Sequence, residues 1–492
     1  MTVRTDHHRS AGRSPRRIAL VVAAAGLLLA TSACGARWDE AQREEVLARR
    51  STTAFAAGPG GGASTGAGAT GSRTGSTAPT GAAGGGSDTT GTADGATDPA
   101  SAAAGGGEAA PGGGTAAEGG PRPCDAPSDA PGVTDSTITL GSISTLSGAV
   151  PGLGASSEGA ARAYVAYRNA TGGVCGRELV LKTADDGMDN ARHRSIVTEM
   201  NAQVLGLIGG LGGGDAGSAS TVGELGMPVV NVPISKPFDD SPVTYNVNPY
   251  FADVNQPLPK FTWYHSQGVR KAAIAYTAVD QTRSEINLRQ KPQMIAAGIQ
   301  VVAEIEIPLS TLSYDSAARQ VANSGADYLF FLADGSISAS MARSMHDTGY
   351  KGLKFAEYLT SYGSKFPELA GPGAEGAVST IRTAPNEDGG ASPEQAAFLE
   401  WFGRIAPDQP ADTFAADSWA ASKAFADNLE ALPGPITREA LLAQLGSVGD
   451  YDAGGLLGPI QLGPQRSKGC VVLMQWRSGK WNRLAPAQGF MC

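Results

Sequence analysis

Apolar and polar positions alternate in a regular order from residue 137 onward. Four short apolar runs are typical of buried strands: TITLGSIS (137–144), RELVLKTADD (177–186), VLGLIGG (204–210) and MPVVNV (227–232). The residues between these runs carry apolar positions at helical spacing, as in SEGAARAYVAYRNATGG (157–173). Because strands that alternate with helices form a parallel sheet covered on both faces, this stretch predicts a doubly wound lobe.

A second series of the same kind starts at Phe261. Its strand-like runs are KAAIAYTAV (271–279), QVVAEIEI (300–307), DYLFFLAD (327–334) and LKFAEY (353–358), with helical stretches between them. About 370 residues remain once the N-terminal region described next is set aside, too many for one ordinary core. The hydrophobic pattern therefore predicts an α/β fold of two doubly wound, Rossmann-like lobes.

The first residues of the chain have the pattern of an export signal. A basic segment precedes an apolar stretch from Ile18 to Ala30, which is too short to cross a membrane as a helix, and small residues then lead to Cys34. TSAC (31–34) resembles the bacterial lipobox, although Thr31 stands where the lipobox usually has leucine. We predict a lipoprotein signal peptide over 1–33 and lipidation of Cys34, with ordinary secretory cleavage as the alternative.

Residues 34–123 have the composition of a tether. After a short charged piece, the segment 51–123 consists mainly of Gly, Ala, Ser, Thr and Pro, with Phe55 as its one aromatic residue. Such a segment buries too little apolar surface to offset the entropy lost on ordering it. We therefore predict a disordered linker between a lipid anchor and the folded body.

Charge and cysteine content narrow the function classes. The formal net charge is −9 and no basic stripe appears, which argues against nucleic-acid binding. With Cys34 assigned to lipid, four of the five cysteines remain, and in an oxidising compartment they allow three pairings. Cys124 with Cys175 and Cys470 with Cys492 are the favoured disulfides, because they tie the entry of the folded body to the second strand and the C-terminus to a late hairpin. Zinc is the alternative, but no CxxC spacing or nearby histidine supports it.

Several motifs, taken in order, resemble those of a known family. They are TLSG (145–148), GAARAYVAYRNATGGVCGRELVLKTADD (159–186), LIGGLGGG (207–214), GMPVVNVPIS (226–235) and GPIQL (458–462). Together they resemble the type I periplasmic binding proteins, specifically the leucine/isoleucine/valine-binding group that feeds ABC importers. The resemblance implies a hinge that the chain crosses three times, near Asn248–Asn255, Ile381–Pro385 and Gly458–Gly463. Lobe I would then hold 124–253 with 384–460, and lobe II would hold 254–383 with 461–492.

The resemblance, together with the geometry of open α/β sheets, indicates a ligand site between the lobes. The candidate residues are Ser147, Gly148, Leu153, Gly212, Gly213, Gly214, Ser235, Asp334 and Glu357. The glycine-rich loop would offer backbone N–H groups to a ligand carboxylate, and Ser235 matches a hydroxyl position that holds this carboxylate in the family. Glu357 matches the family's partner of the ligand ammonium, and Leu153 would form an apolar wall.

Each of these assignments has an alternative. Glu357 could form a salt bridge with a neighbouring Lys or Arg, and the glycines could form a turn without ligand contact. Asp334 stands where the family has an aromatic contact, so it could favour a ligand with two amino groups or cap the next helix. Glycines 212, 214 and 217 also match a dinucleotide fingerprint, but no acid ends the following strand. The histidines beyond the signal are expected to be solvated or capping: His193, His265 and His346.

These features favour an extracytoplasmic solute-binding lipoprotein of an ABC importer, without enzymatic activity, cofactor or metal. It would capture a branched-chain or related amino acid, or a similar small polar solute, as a monomer anchored to the outer face of the cell membrane by Cys34. Its partners would be the ligand, an ABC permease and the membrane, and not nucleic acid. A ligand sensor or scaffold on the same fold is the first alternative, and a secreted enzyme is the second.

Overall fold

The computed structural model of the chain describes residues 123–247, 258–363, 365–462 and 469–492. The signal peptide, Cys34, the linker up to residue 122 and the hinge crossing at 248–255 lie outside these residues, as does residue 463 of the third crossing. Among the described residues, no helix combines the length and the apolar character needed to span a membrane.

A parallel sheet organises the first part of the described chain. Its strands are β1 (Thr137–Ser144), β2 (Glu178–Asp185), β3 (Leu207–Ile208), β4 (Val229–Asn231) and β5 (Thr244–Asn246). The helices between them are α1 (Ala155–Ala170), α2 (Asn190–Met200), α3 (Ala219–Glu224) and α4 (Lys236–Asp239). The strand order β2-β1-β3-β4-β5 reverses direction beside β1, so a switch-point crevice opens at the carboxyl ends of β1 and β3.

A second sheet follows in the chain. Its strands, together with those of a small separate ribbon, are β6 (Lys271–Thr277), β7 (Gln300–Ile307), β8 (Tyr328–Leu332), β9 (Phe355–Tyr358), β10 (Ala377–Ile381), β11 (Asp450–Tyr451), β12 (Ile460–Gln461), β13 (Val472–Arg477) and β14 (Lys480–Ala485). The order is β14-β13-β10-β9-β8-β6-β7, with β11 and β12 forming the ribbon. Strands β6 to β10 are parallel, and β13 and β14 add an antiparallel hairpin at one edge.

Helices cover both faces of the second sheet. They are α5 (Pro259–Ser266), α6 (Asp280–Glu285), α7 (Lys291–Ala296), α8 (Asp315–Asn323), α9 (Gly335–Asp347) and α10 (Lys365–Ala370). Because the sheet is covered on both faces, β8 is apolar at every position and buried along its whole length, as its sequence YLFFL predicts.

Three later helices return to the first sheet: α11 (Pro393–Ile405), α12 (Thr413–Glu430) and α13 (Arg438–Ser447). Helix α12 is buried over most of its length and packs against α1, where its alanines permit a close approach. Trp419 of α12 meets Tyr164 edge-to-face at 5.1 Å and lies 5.7 Å from Phe398. The core of the first lobe is therefore completed by residues that follow the second sheet in sequence.

The two described segments in which the chain crosses from one lobe to the other lie side by side. Beyond β10, Thr383 forms a β-bridge with Leu457, and the Gly458 amide donates to the Arg382 carbonyl at 3.0 Å. The guanidinium of Arg382 forms a buried ion pair with Asp417 of α12. The connection between the lobes is thus anchored in the first lobe by a charge pair withdrawn from water.

Two disulfides join the pairs favoured from the sequence. Cys124 is bonded to Cys175, with Cα atoms 5.5 Å apart, and Cys470 is bonded to Cys492, with Cα atoms 4.1 Å apart. Arg177 strengthens the first connection, because its guanidinium donates to the Cys124 and Cys175 carbonyls at 3.1 and 3.0 Å. The N-terminal end of the folded region is therefore fixed to the edge of the first sheet.

Candidate functional site

The carboxyl ends of both sheets converge on a cavity that we call the inner chamber, of about 110 Å³. It is lined by residues that follow β1, β2, β4, β6, β7, β8 and β9, together with residues of α6 and the start of α12. The apolar members are Val150, Leu153, Met188, Ile234, Val279, Leu309, Leu332, Ala333 and Phe414. Since both lobes supply these side chains, a molecule held there would contact both lobes at once.

A more polar space, the outer chamber, adjoins the inner one and measures about 360 Å³. Leu153, Asp334 and Phe414 line both chambers. The outer chamber adds Ser156, Ser336, Ser361, Lys365, Gln409 and Asp412. The cleft therefore combines a mainly apolar chamber with a more polar one, which suits a ligand with an apolar body and a polar head.

Leu153 and Asp334 are the predicted site residues that line the cavity. Leu153 supplies apolar wall to both chambers. Asp334 is the N-cap of α9, where its Oδ1 accepts from the Ser336 and Ile337 amides at 2.8 and 3.2 Å. Both roles considered for Asp334 are thus compatible: it caps the helix and still faces the cleft.

The glycine-rich loop after β3 does not line either chamber. The Gly213 amide donates to Thr145 Oγ1 at 2.7 Å, and the Gly214 amide donates to Asp186 Oδ2 at 2.9 Å. Gly212 is buried beside the same Asp186 carboxylate, which lies 2.7 Å from where a Cβ would stand. The expectation that this loop offers its N–H groups to a ligand carboxylate, or to a dinucleotide phosphate, is corrected: the amides of 213 and 214 are already bonded inside the lobe.

Asp186 is the centre of a buried polar cluster that the sequence did not reveal. Its Oδ1 accepts from Thr145 Oγ1 at 2.6 Å and from the Met188 amide at 2.9 Å. His193 lies beside it and shares a hydrogen bond of 2.8 Å with Ser218 Oγ, and burial lowers the pKa of His193 to about 4. A solvated or capping role for His193 is therefore wrong. Although serine, histidine and aspartate are neighbours here, all three are buried, so a substrate has no access to the hydroxyl.

Ser235 lies one layer behind the wall of the inner chamber. It is buried next to Asp215, whose Oδ2 accepts from the amide of Ile234, the residue that does line the chamber, at 2.9 Å. Burial raises the pKa of Asp215 to about 7. The structure therefore gives Ser235 contact with an interior carboxyl group rather than with the cleft.

Ser147 and Gly148 lie on the exposed loop after β1, outside both chambers. The Ser147 amide donates to Asp185 Oδ1 at 3.1 Å, and its hydroxyl bonds the other oxygen of the same carboxylate. Gly148 packs over Gly187 with φ +91°, and a Cβ at Gly148 would stand 2.0 Å from the Gly187 carbonyl oxygen. This loop contributes Val150 and Leu153 to the cavity, but not the two residues predicted ahead of them.

Glu357 requires the largest correction. Its side chain is fully buried inside the second lobe and contacts neither chamber. Its oxygens accept from Lys260 Nζ at 2.7 Å, Tyr328 Oη at 2.5 Å and Thr380 Oγ1 at 2.7 Å. Burial lowers the pKa of Lys260, and the Glu357 carboxylate opposes that shift. The alternative of an internal salt bridge is the one the structure shows, so Glu357 is not placed to meet a ligand ammonium.

One hydrogen bond joins the loops of the two lobes at the edge of the inner chamber. Gln281 of α6 lines the chamber, and its Nε2 donates to the Gly213 carbonyl at 2.5 Å. The glycine loop therefore acts at the cleft through a carbonyl rather than through its amides. This contact depends on the closeness of the lobes, so it would be lost when the cleft opens.

Comparison with known proteins identifies a matching family model and solved structures with a similar fold. A family model described as periplasmic binding protein matches residues 137–480. A fatty acid ABC transporter substrate-binding protein from Thermomonospora curvata has 22% identity and a TM-score of 0.63, and the match covers 75% of this chain and 96% of that one. A benzoate complex of an R. palustris solute-binding protein has 18% identity, a TM-score of 0.59 and coverages of 72% and 97%.

A third structure comes from an amino-acid transport system. The branched-chain amino acid transporter substrate-binding protein LivJ from Streptococcus pneumoniae, in complex with isoleucine, has 15% identity and a TM-score of 0.58. The match covers 71% of this chain and 100% of that one. No curated protein matches the chain.

The buried pair in the second lobe gives a first prediction. Glu357→Gln should lower the free energy of unfolding by about 3 to 5 kcal/mol, because it leaves the Lys260 ammonium buried without its counter-charge. Urea denaturation of the two proteins measures this loss. Glu368→Gln, at an exposed acid of the same lobe, is the matched control and should be neutral. Equal stability of Glu357→Gln and wild type would contradict the assigned role.

The contact between the lobes gives a second prediction. Gln281→Ala should weaken ligand binding by about 3-fold to 10-fold, the loss of one hydrogen bond of about 0.5 to 1.5 kcal/mol made in the closed form. Isothermal calorimetry with the tightest ligand from a panel of amino acids, amines, amides and short carboxylates measures the effect. Gln267→Ala, an exposed glutamine at the end of α5, is the control. Unchanged affinity in Gln281→Ala would show that the contact does not favour closure.

Proposed function

We propose a function from one established premise: the chain belongs to the periplasmic binding protein family. It is the solute-binding component of an ABC importer, and it captures a small, mainly apolar solute between its lobes. The observation that carries this proposal is the inner chamber, whose apolar wall is shared between both lobes. Proteins of the same fold are named as ABC transporter substrate-binding proteins, which supports the transport role.

A branched-chain amino acid is the finer assignment that the resemblance suggested. The apolar wall around Leu153 suits an aliphatic side chain, and LivJ is named in complex with isoleucine. However, the charged ends of a zwitterion would find neither Glu357 nor the amides of 213 and 214 free to bind them. Burying unpaired charges is costly, so the geometry favours an apolar solute over a zwitterionic one.

The alternative functions would use the same ligand site and differ in the protein partner. A ligand sensor on the same fold would use the same cleft and bind a partner other than a permease. The family and the fold are those of binding proteins, and the Ser218–His193 pair, the arrangement nearest to a catalytic one in this cleft region, is buried. We therefore propose a non-enzymatic, monomeric binding protein. Co-purification with a permease would distinguish transport from sensing.

An extracytoplasmic location follows from the family, and a lipid anchor is our further proposal. Cys34, at the end of the proposed signal peptide, is the residue to be lipidated, and the segment 34–123 is the tether. Cys34→Ala should move the protein from the membrane fraction to the medium, because a single residue would supply the anchor. Ser64→Ala, within the proposed tether, is the control and should stay with the membrane. Membrane retention of Cys34→Ala would argue against lipid anchoring at this position.

The chamber itself gives a test of the binding function. A thermal-shift panel should contain a compound that stabilises the protein, by about 2.7 kcal/mol at 100 times its dissociation constant. Val279→Asp places a carboxylate in the apolar wall and should reduce affinity for that compound by at least about 10-fold. Val180→Asp, at an exposed valine of β2, should leave it unchanged. Equal binding by Val279→Asp would place the ligand elsewhere.

A further inference from the structure

Among the described residues, six polar side chains line the inner chamber, and four of them, two hydroxyls and two carboxylates, can offer a ligand only hydrogen-bond acceptors. The six are Thr277, Gln281, Thr282, Glu285, Asp334 and Thr360. The two carbonyls of Thr277 and Val279 share the single hydrogen of the Thr282 hydroxyl, and the Thr360 hydroxyl donates to the Ala333 carbonyl. A hydroxyl has one hydrogen, so towards a ligand these two oxygens can act only as acceptors.

Glu285 adds an acceptor that lacks a partner. Its side chain lines the chamber and is 5% exposed. Its Oε1 accepts from Arg289 Nη1 at 2.8 Å and from Gln290 Nε2 at 2.6 Å, whereas Oε2 has no hydrogen-bond partner among the described residues. A buried carboxylate oxygen without a donor is unusual, and a rotation of this chamber-lining side chain that turned Oε2 to the chamber would let a ligand supply the donor.

Asp334 adds a charge at the point where the two chambers meet. Its hydrogen bonds to the Ser336 and Ile337 amides and to the Ser336 hydroxyl all use Oδ1. Unlike Glu285, which is paired with Arg289, Asp334 forms no ion pair within the described part of the chain. Its carboxylate therefore places a net negative charge beside the apolar wall.

Cations are scarce around the cleft. Among its described residues, the inner chamber is lined by no Lys, Arg or His. The outer chamber has Lys365, which is exposed and reaches towards the Asp408 carbonyl at 3.4 Å, and it also has Asp412. An anionic ligand would thus meet Asp334 and Asp412 without a buried counter-charge, which is unfavourable, whereas a cation would be stabilised.

We infer that the ligand is an apolar amine, with its hydrocarbon body in the inner chamber and its ammonium group between Asp334 and Glu285. This inference rests on the proposed function, and it specifies the class of solute. The chamber of about 110 Å³ is somewhat smaller than a dry protein cavity of about 150 Å³ that holds benzene. A body of about five carbon atoms therefore fits. A carboxylate or a zwitterion with the same body is rejected.

Four probes share one five-carbon body and differ in charge: 3-methylbutylamine, 3-methylbutan-1-ol, 4-methylpentanoate and leucine. Calorimetric titration of the full chain should show the amine binding at least about 10-fold more tightly than the carboxylate or leucine, with the alcohol between them. Asp334→Asn keeps the capping oxygen and removes the charge, so it should weaken amine binding by at least about 10-fold and leave alcohol binding nearly unchanged. Asp347→Asn, at an exposed acid at the far end of the same helix, is the control.

Glu285→Gln provides a second variant at the other acceptor, and it should also weaken amine binding selectively. Its melting temperature is measured in parallel, because Glu285 pairs with Arg289. Carboxylate or leucine binding as tight as that of the amine would overturn the inference, and so would unchanged amine affinity in Asp334→Asn. Stabilisation of the wild type by an anionic panel compound, with none of the four probes bound, would overturn the inference and leave the proposed function standing. If no panel compound shifts the wild type, the proposed function itself fails.

Discussion

One buried carboxylate, Asp186, sets the shape of the cleft wall in the first lobe. A charge removed from water must be surrounded by donors, and this one collects them from the loops that follow β1, β2 and β3. Those loops are thereby held together at the switch point of the sheet, with their polar groups turned towards Asp186. The side chains left to face the cleft are apolar, among them Leu153 and Met188. The apolar character of the inner chamber is thus a consequence of where the lobe satisfies its polar groups.

The second lobe also contains a buried carboxylate surrounded by hydrogen-bond donors, that of Glu357. This carboxylate ties β9 to its neighbours β8 and β10, through Tyr328 and Thr380, and to α5, through Lys260. Replacing both members of a buried ion pair by apolar residues often leaves the free energy of unfolding unchanged, whereas removing one member alone lowers it strongly. Glu357 and Lys260 therefore constrain each other, and neither is available to a ligand. Asp334, one of the charged residues that do line the cleft, is instead the N-cap of a helix.

The sequence predicted the elements well because their signals are local. The runs 137–144 and 300–307 are strands at the residues that their apolar patterns indicated, and strands β1 to β5 and β6 to β10, which helices separate, are parallel. The site was harder to predict because the contacts that determine the role of each side chain join residues far apart in the sequence. Lys260 lies 97 residues before Glu357, and Thr145 lies 41 residues before Asp186. A carboxylate at a strand end looks the same in sequence whether a ligand or a distant lysine meets it.

Closure of the cleft depends on what the ligand adds to a weak contact between the lobes. The bond from Gln281 to the Gly213 carbonyl is a neutral hydrogen bond that water can replace in an open form, so its net contribution is small. A ligand favours the closed form only by the difference between its affinities for the two forms. In an apolar chamber that difference comes from hydrocarbon surface buried against both lobes, and also from the pairing of charge at Asp334. The first contribution sets how tightly a solute is held, and the second sets which of several solutes of the same shape is held.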